Sequence, residues 1–315
     1  MSTGPVLALL GRLDQPGVEL LTTARRVAQG LGARLEAVWL GPLADDDVTG
    51  LGAYGTERVH HLATGRGSST ELAGAILSLP ERPTAVLVTT SYPARELAAR
   101  LGVRLGGGVL VDAAQVEVVG GRIEAERTSF AATWGSRCAV LAEPAIVTVK
   151  PHSTSPEPAA APSSPEVVPL AAGASDPRVR VVERTERVAT GRPDLASAGV
   201  VVAGGRGTEG DFSLLAELAD ELGGALGATR VATDEGWVGH ELQVGQTGVT
   251  VNPVLYIGAG VSGAVHHVGG MRAAQHVVAI NTDPDAPLVQ IADYAVIGDL
   301  FEVVRATIDR LRELR

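Results

Sequence analysis

The sequence predicts an α/β protein made of two doubly wound domains, and three observations carry the prediction. Through the first 150 residues, continuous apolar runs alternate with amphipathic stretches, which indicates a parallel sheet covered on both faces by helices. The same alternation restarts near residue 199. Between the halves, residues 151–177 carry seven prolines interspersed with Ser and Ala, a composition that reads as an extended linker. The expected organisation is an N-terminal domain over 1–150, a linker over 151–177 and a C-terminal domain over 178–315. Both domains are of Rossmann-like type, the first with a mixed sheet and the second with a parallel one.

Each element follows from its residues. "PVLALLG" reads as a strand, "GVELLTTARRVAQGLG" as a helix and "RLEAVWLG" as a second strand. "TERVHHLA" is a short strand, "SSTELAGAILSL" a helix, "TAVLVTTS" a strand and "ARELAARLG" a helix. "QVEVVGGRIEAERTSF" has two alternating runs around Gly120-Gly121, the signal of a hairpin, and "RCAVLAEPAIVTVKP" adds further strand. In the second half "AGVVVAGG", "GALGATRVA", "VLYIGAG", "HVVAINTD" and "YAVIGD" read as strands. "DFSLLAELADELGG", "GAVHHVGGMRAA" and "LFEVVRATIDRLREL" read as helices.

Composition narrows the function. The chain has 315 residues, 45% hydrophobic and 20% charged, with a net charge of -10. That describes a globular protein, and with no cluster of Lys and Arg it argues against nucleic acid as a partner. No stretch approaches the ~18 to 20 apolar residues of a membrane helix, and the amino terminus lacks a signal-peptide pattern. The single cysteine, Cys138, suits a reducing compartment and is expected as a packed core thiol. A cytoplasmic protein without membrane insertion is expected.

Two glycine patterns carry the chemistry. "VVVAGGRGTEGDF" and "LYIGAGVSGAVHH" each place G-x-G-x-x-G after a strand and before a helix: Gly205, Gly207, Gly210, and Gly258, Gly260, Gly263. Such turns free backbone N–H groups near a helix N-terminus, where an anion is favoured. Arg206 lies inside the first and can add a bidentate phosphate contact. A dinucleotide is therefore expected in the second domain. A nicotinamide-dependent oxidoreductase is one candidate, with Asp283 placed as a ribose-binding acid 20 residues beyond Gly263. A nucleotide-binding regulatory module is another. "GVSGA" around Ser262 only approaches a nucleophile elbow, because Ala264 takes the last glycine position. The adjacent pairs His60-His61 and His266-His267 lack metal-ligand spacing.

"GATR", "LQVGQTG", "LYIGAGVSGAVHHVGGM", "VAINTDPDAPLVQIADY" and "GDLF", following "AGGRG" in that order, resemble the α subunit of electron transfer flavoproteins. The resemblance runs over about residues 200 to 304; the first half agrees in general layout and in "ARELAARLG". It implies no catalytic activity of the chain's own and no metal. It implies one FAD held by the second domain, and a heterodimer with a β subunit that carries AMP or, in some members, a second FAD. The N-terminal domain would contact that subunit. Electrons would come one at a time from flavoprotein dehydrogenases, such as the acyl-CoA dehydrogenases of fatty acid β-oxidation. They would pass to a membrane-associated acceptor such as a quinone reductase.

Carried over residue by residue, the resemblance places Arg206 at the pyrophosphate or ribose. Thr229 and Arg230 would stand by the isoalloxazine, with Arg230 over the ring. Val244, Gly245, Gln246 and Thr247 would wrap the flavin and ribityl chain, with the Thr247 hydroxyl near N5. Ser262, Gly263, Ala264, Val265, His266 and His267 would line the pyrophosphate and pyrimidine end, and Asn281, Asp299 and Leu300 the adenosine side. Thr229 stands where the family commonly has serine, His266 where it has glutamine, and Thr282 where it has lysine. When a flavin takes one electron without a proton, negative charge gathers near N1 and C2=O. His267, protonated or donating there, and Arg230 would then stabilise it, each charge-assisted bond contributing ~1.5 to 3 kcal/mol. His266 is expected to face another way.

Overall fold

The computed structural model describes residues 4–64, 67–130, 134–179, 182–183 and 191–315. The expected start of the second domain, at 178, borders residues 180–181 and 184–190, which lie outside the described residues. The chain divides into two compact units, 1–128 with 135–185, and 186–315 with 129–134.

The first unit is built on a nine-stranded sheet. Its parallel centre comprises β1 (Val6–Leu10), β2 (Leu35–Leu40), β3 (Arg58–Leu62), β4 (Ala85–Thr89) and β8 (Ala145–Val149). Side chains alternate along β1: Val6, Ala8 and Leu10 enter one core cluster, Leu7 and Leu9 another. Both faces are thus buried, which is why the strand reads as an unbroken apolar run. Covering helices are α1 (Gln15–Leu31), α2 (Asp45–Ala53), α3 (Ser69–Leu77) and α4 (Tyr92–Leu105). Asp14 caps α1 by accepting from the Gly17 amide at 3.0 Å, and Gly32 closes it in the left-handed conformation at φ 61°.

Strands β5 (Gly108–Val119) and β6 (Arg122–Ser129) form the expected antiparallel hairpin. Gly120 and Gly121, with φ of 57° and 76°, supply the two positive values that its two-residue turn requires. With β7 (Trp134–Ala139) beyond it, the sheet runs β7-β6-β5-β8-β4-β1-β2-β3-β9 and is mixed. Cys138, on β7, is half-buried against the core rather than within it.

The last of these strands is a correction. β9 (Glu166–Pro169), inside the expected linker, pairs parallel with β3, Arg58 opposite Glu166. The rest of that segment is tied down as well. Ala159 and Ser163 donate to Ala53 and Gly52 carbonyls at 2.8 and 3.0 Å. The His152 amide donates to buried Glu19 at 2.6 Å. Proline-rich sequence here adds an edge to the sheet, where missing N–H groups are tolerated.

The second unit carries a five-stranded, wholly parallel sheet, ordered β11-β10-β12-β13-β14. The strands are β10 (Val200–Gly204), β11 (Ala225–Ala228), β12 (Leu255–Ala259), β13 (His276–Asn281) and β14 (Tyr294–Ile297). Helices α5 (Ser213–Glu221) and α9 (Leu300–Glu313) pack with Val202, Ile257 and Ala259 on one face, and Val201, Ala203 and Tyr256 point to the other. "GALGATRVA" is not one strand. It ends at Ala228, and Arg230–Asp234 winds into the short helix α6. α7 (Val265–Met271) and α8 (Pro287–Ile291) complete the unit.

Candidate functional site

All strands of the second sheet being parallel, the carboxyl ends of β10, β11, β12 and β13 share one edge, where open α/β sheets take ligands. The two glycine patterns meet there. Gly207 N donates to Gly260 O at 3.1 Å, and a Cβ on Gly207 would lie 2.8 Å from the Gly260 Cα. A Cβ on Gly205 would lie 2.4 Å from the Gly260 carbonyl oxygen, and one on Gly263 2.4 Å from the Leu288 amide. These glycines therefore let two turns interlock over Leu300. Its Cδ2 would lie 3.4 Å from a Cβ on Gly207 and 2.8 Å from one on Gly260. The first pattern opens into a 3-10 turn, Arg206–Thr208, before α5, rather than directly into a helix.

The loop 243–249 closes the edge from the side. Val244 N donates to Ala228 O at 2.9 Å, fixing the loop to the end of β11, and Gln246 N donates to His266 O at 2.9 Å, fixing it to α7. Gly245 and Gly270 pass so closely that a Cβ on Gly270 would lie 2.4 Å from the Gly245 Cα. Inside, Thr233 Oγ1 donates to buried Gln243 Oε1 at 3.0 Å, and Gln243 Nε2 donates to Thr247 Oγ1 at 3.0 Å. Sequence reasoning misses Thr233; its one signal is a threonine placed a helical turn after Thr229.

The expected residues fall along this one edge with distinct surroundings. Arg206, Arg230, Gln246, Thr247, Ser262, Ala264, Val265, His266 and Asp299 are exposed. Val244, Gly245, Gly263, His267 and Leu300 are buried. Thr229 and Asn281 are half-buried. Arg230 begins α6 and pairs with Asp234 at 3.1 Å. Asn281 holds the second glycine turn, its Nδ2 donating to Val261 O at 3.0 Å. The Asp299 carboxylate caps α9 through the amides of Phe301 and Glu302, so its side chain serves the helix.

The adjacent histidines separate as expected: His266 is exposed while His267 is buried. His267 Nε2 lies 2.6 Å from the hydroxyl of Tyr256, a fully buried residue of β12. Its Nδ1 is buried without a hydrogen-bond partner among the described residues. Burial pushes the ring down to about 4, and the Val244 backbone, short of hydrogen-bond geometry at that nitrogen, offsets this only in part. With no anion beside it the imidazole is thus neutral near pH 7, and a neutral ring offers one N–H as a donor. Thr229 Oγ1 is a second buried atom without a partner among the described residues; Thr229 precedes α6 but makes no side-chain cap bond. Two orphaned polar atoms flanking one loop fit a ligand that offers hydrogen-bonding groups along its length, because unsatisfied buried groups each cost about 1–3 kcal/mol. FAD, with a polar isoalloxazine edge, ribityl hydroxyls and pyrophosphate, has that character.

The other adjacent pair, His60 and His61, has structural partners. His60 Nε2 meets buried Glu36 at 2.7 Å and His61 Nε2 meets the Gly41 carbonyl at 2.8 Å. Asp283 sits in a tight turn, its carboxylate accepting from the Asp285 amide at 2.9 Å.

Comparison with known proteins returns two family matches. The electron transfer flavoprotein domain covers residues 9–175, and the electron transfer flavoprotein FAD-binding domain covers residues 194–272. The chain is 33% identical over 310 residues to the electron transfer flavoprotein subunit alpha of Syntrophomonas wolfei, spanning 96% of both chains. It is 33% identical over 310 residues to that of Mycobacterium leprae, spanning 96% of this chain and 95% of that one. To that of Mycobacterium tuberculosis H37Rv it is 35% identical over 300 residues, spanning 93% and 92%.

Proposed function

Because the chain belongs to the electron transfer flavoprotein α-subunit family, we propose that it holds one FAD along the carboxyl edge of its second sheet and carries electrons singly between partner proteins. It is an electron-carrying subunit rather than an enzyme. FAD supplies the redox chemistry when bound. The protein's own residues bind it, orient it and keep water from its polar edge.

In this reading Arg206 and the Ser262–Val265 turn meet the pyrophosphate, and Arg230 stacks over the ring system. Val244–Thr247 wraps the flavin and ribityl chain, Asn281 and Leu300 shape the adenosine side, and the Asp299 backbone joins them. Thr229 Oγ1 and His267 Nδ1 donate to the flavin and so acquire the partners they lack. The single observation that carries the reading is this pair of orphaned atoms beside a loop fixed at both ends. A β subunit carrying AMP completes the heterodimer, and its contact with the first unit belongs to the same proposal. Flavoprotein dehydrogenases supply the electrons and a membrane-associated quinone reductase takes them, in the cytoplasm. No helix among the described residues is long and apolar enough to cross a membrane.

Co-expression with a β subunit, followed by release and identification of bound nucleotides, tests the assignment. One FAD per α chain, bleached by a dehydrogenase and its substrate, is the expected result. A colourless complex, or nicotinamide in place of flavin, overturns it.

A further inference from the structure

Tyr256 is a phenol in the interior of an apolar strand. Its neighbours in the core cluster include Val201, Ala203, Val261 and Met271, and its residue exposure is 0%. Its one hydrogen-bond partner among the described residues is His267 Nε2, at 2.6 Å, with the two rings edge to face at 6.1 Å. That single contact decides where the imidazole keeps its proton.

Two arrangements are open to a neutral ring. If Nε2 carried the proton, it would donate to the phenol oxygen. The phenol O–H would then lack an acceptor and the Nδ1 lone pair would lack a donor, leaving two buried groups unsatisfied. If Tyr256 donates instead, Nε2 accepts, the ring proton sits on Nδ1, and only the Nδ1–H remains without a partner. The second arrangement leaves one orphan rather than two, and buried orphans are expensive.

We propose that Tyr256 is a positioning residue that, by donating to Nε2, fixes His267 as its Nδ1–H tautomer and so presents one neutral donor to an electron-rich ligand group at the carboxyl edge of the sheet. The inference rests on the flavin reading only for the identity of that acceptor. Such a donor carries no charge of its own, so it stabilises a ligand's developing negative charge without drawing a counter-ion into the site. Tyr256 touches no ligand in this scheme; it acts through His267. The sequence signal is a hydroxyl-bearing residue amid the strand "VLYIGAG".

Nitrogen-15 NMR of the imidazoles tests it, on the full chain with its bound flavin and after the flavin is removed, His267 being assigned by the signals lost in His267→Gln. The expected wild-type pattern is a protonated Nδ1 and a bare Nε2 in both states. In Tyr256→Phe, which keeps the ring and removes the hydroxyl, the Nε2–H form should appear and the flavin's first reduction potential should fall. A wild-type ring protonated at Nε2, or a tautomer unchanged in Tyr256→Phe, overturns the proposal, and the wild-type spectrum decides even if the variant fails to fold. A chain that never takes up flavin refutes the functional reading instead, while the flavin-free spectrum still reports on Tyr256.

Discussion

Taking His267 out of water removes its ability to hold a charge near neutral pH, and that has a consequence for stability. The unfolded chain titrates this ring near the ordinary value of 6.5, whereas the folded chain does so at about 4. Between those values the unfolded state binds a proton that the folded state does not. Stability is therefore complete above pH 6.5 and falls as the pH drops toward 4, by on the order of 3 kcal/mol from this group. In urea unfolding of the flavin-free chain, His267→Gln should lose less stability than wild type between pH 7 and pH 4.5. Carboxylate titrations act on both proteins and cancel in the comparison, so equal losses would refute the assignment. Thr229 makes a complementary case. Its Oγ1 is buried without a partner, so Thr229→Val should leave the flavin-free protein as stable as wild type or about 1 kcal/mol more stable. The same variant should retain flavin less well in equilibrium dialysis; unchanged retention would remove Thr229 from the site. The types and order of these residues are legible in "GATR", "LQVGQTG" and "GAVHHVGG". Their protonation and burial are not, because both depend on contacts such as Tyr256 to His267, across 11 residues of chain.

At the scale of elements, the glycine turns divide their work between backbone freedom and close approach. Gly260 has φ 61°, and a Cβ there would lie 2.8 Å from both the Gly207 Cα and the Leu300 Cδ2. Gly223, after α5, has the same φ of 61° but nothing within 4 Å. Alanine at Gly223 meets only the left-handed strain of about 1–2 kcal/mol. At Gly260 it must also push two turns apart, so Gly260→Ala should lower the melting temperature well beyond Gly223→Ala and weaken flavin binding. Equal shifts would show that the interlocked turns yield easily. The pattern G-x-G-x-x-G is visible in the sequence, but the meeting of its two copies is not, since turns some 50 residues apart leave no local trace of contact. Strands that are unbroken apolar runs, such as β1 and β12, and long amphipathic helices, such as α1 and α9, are legible from their residues. The helices that escape such reading are α2, α6 and α8, of nine, five and five residues. So short a helix has little periodicity to show and is held by its surroundings rather than by propensity. Arg230–Ala232 reads as strand in the sequence because Val231 and Ala232 continue the apolar run of β11.

Across the whole molecule, the proline-rich segment decides how the chain is partitioned. Composition alone assigns 151–177 to a linker, yet its amides are committed to the first unit: Glu166 to Glu57 O at 3.0 Å, Leu170 to His61 O at 2.9 Å, Gly173 to Glu71 O at 3.0 Å. Proline limits the donors a segment offers without preventing the remaining ones from joining a sheet edge, which is what the composition rule overlooks. Each unit buries its own apolar clusters, with Trp39, Leu87 and Ile146 in one and Leu215, Tyr256 and Val304 in the other. A ligand held only by the second unit stabilises only those openings that expose its site, by RT ln(1 + [L]/Kd), or about 2.7 kcal/mol at a hundredfold excess over Kd. Hydrogen exchange of the full chain with and without FAD separates these statements. Amides of 159, 163, 166, 170 and 173 should exchange as slowly as ordered loops of the first unit in both samples; exchange at the unstructured rate would restore the linker. Amides at the carboxyl ends of β10 and β12, and those of Val244 and Gln246, should slow by up to about a hundredfold on flavin binding, the factor set by that excess. Those of β1 and β2 should change far less. Slowing spread evenly over both sheets would mean that the cofactor's stabilisation is shared by the first unit, and the site would have to extend beyond the residues named here.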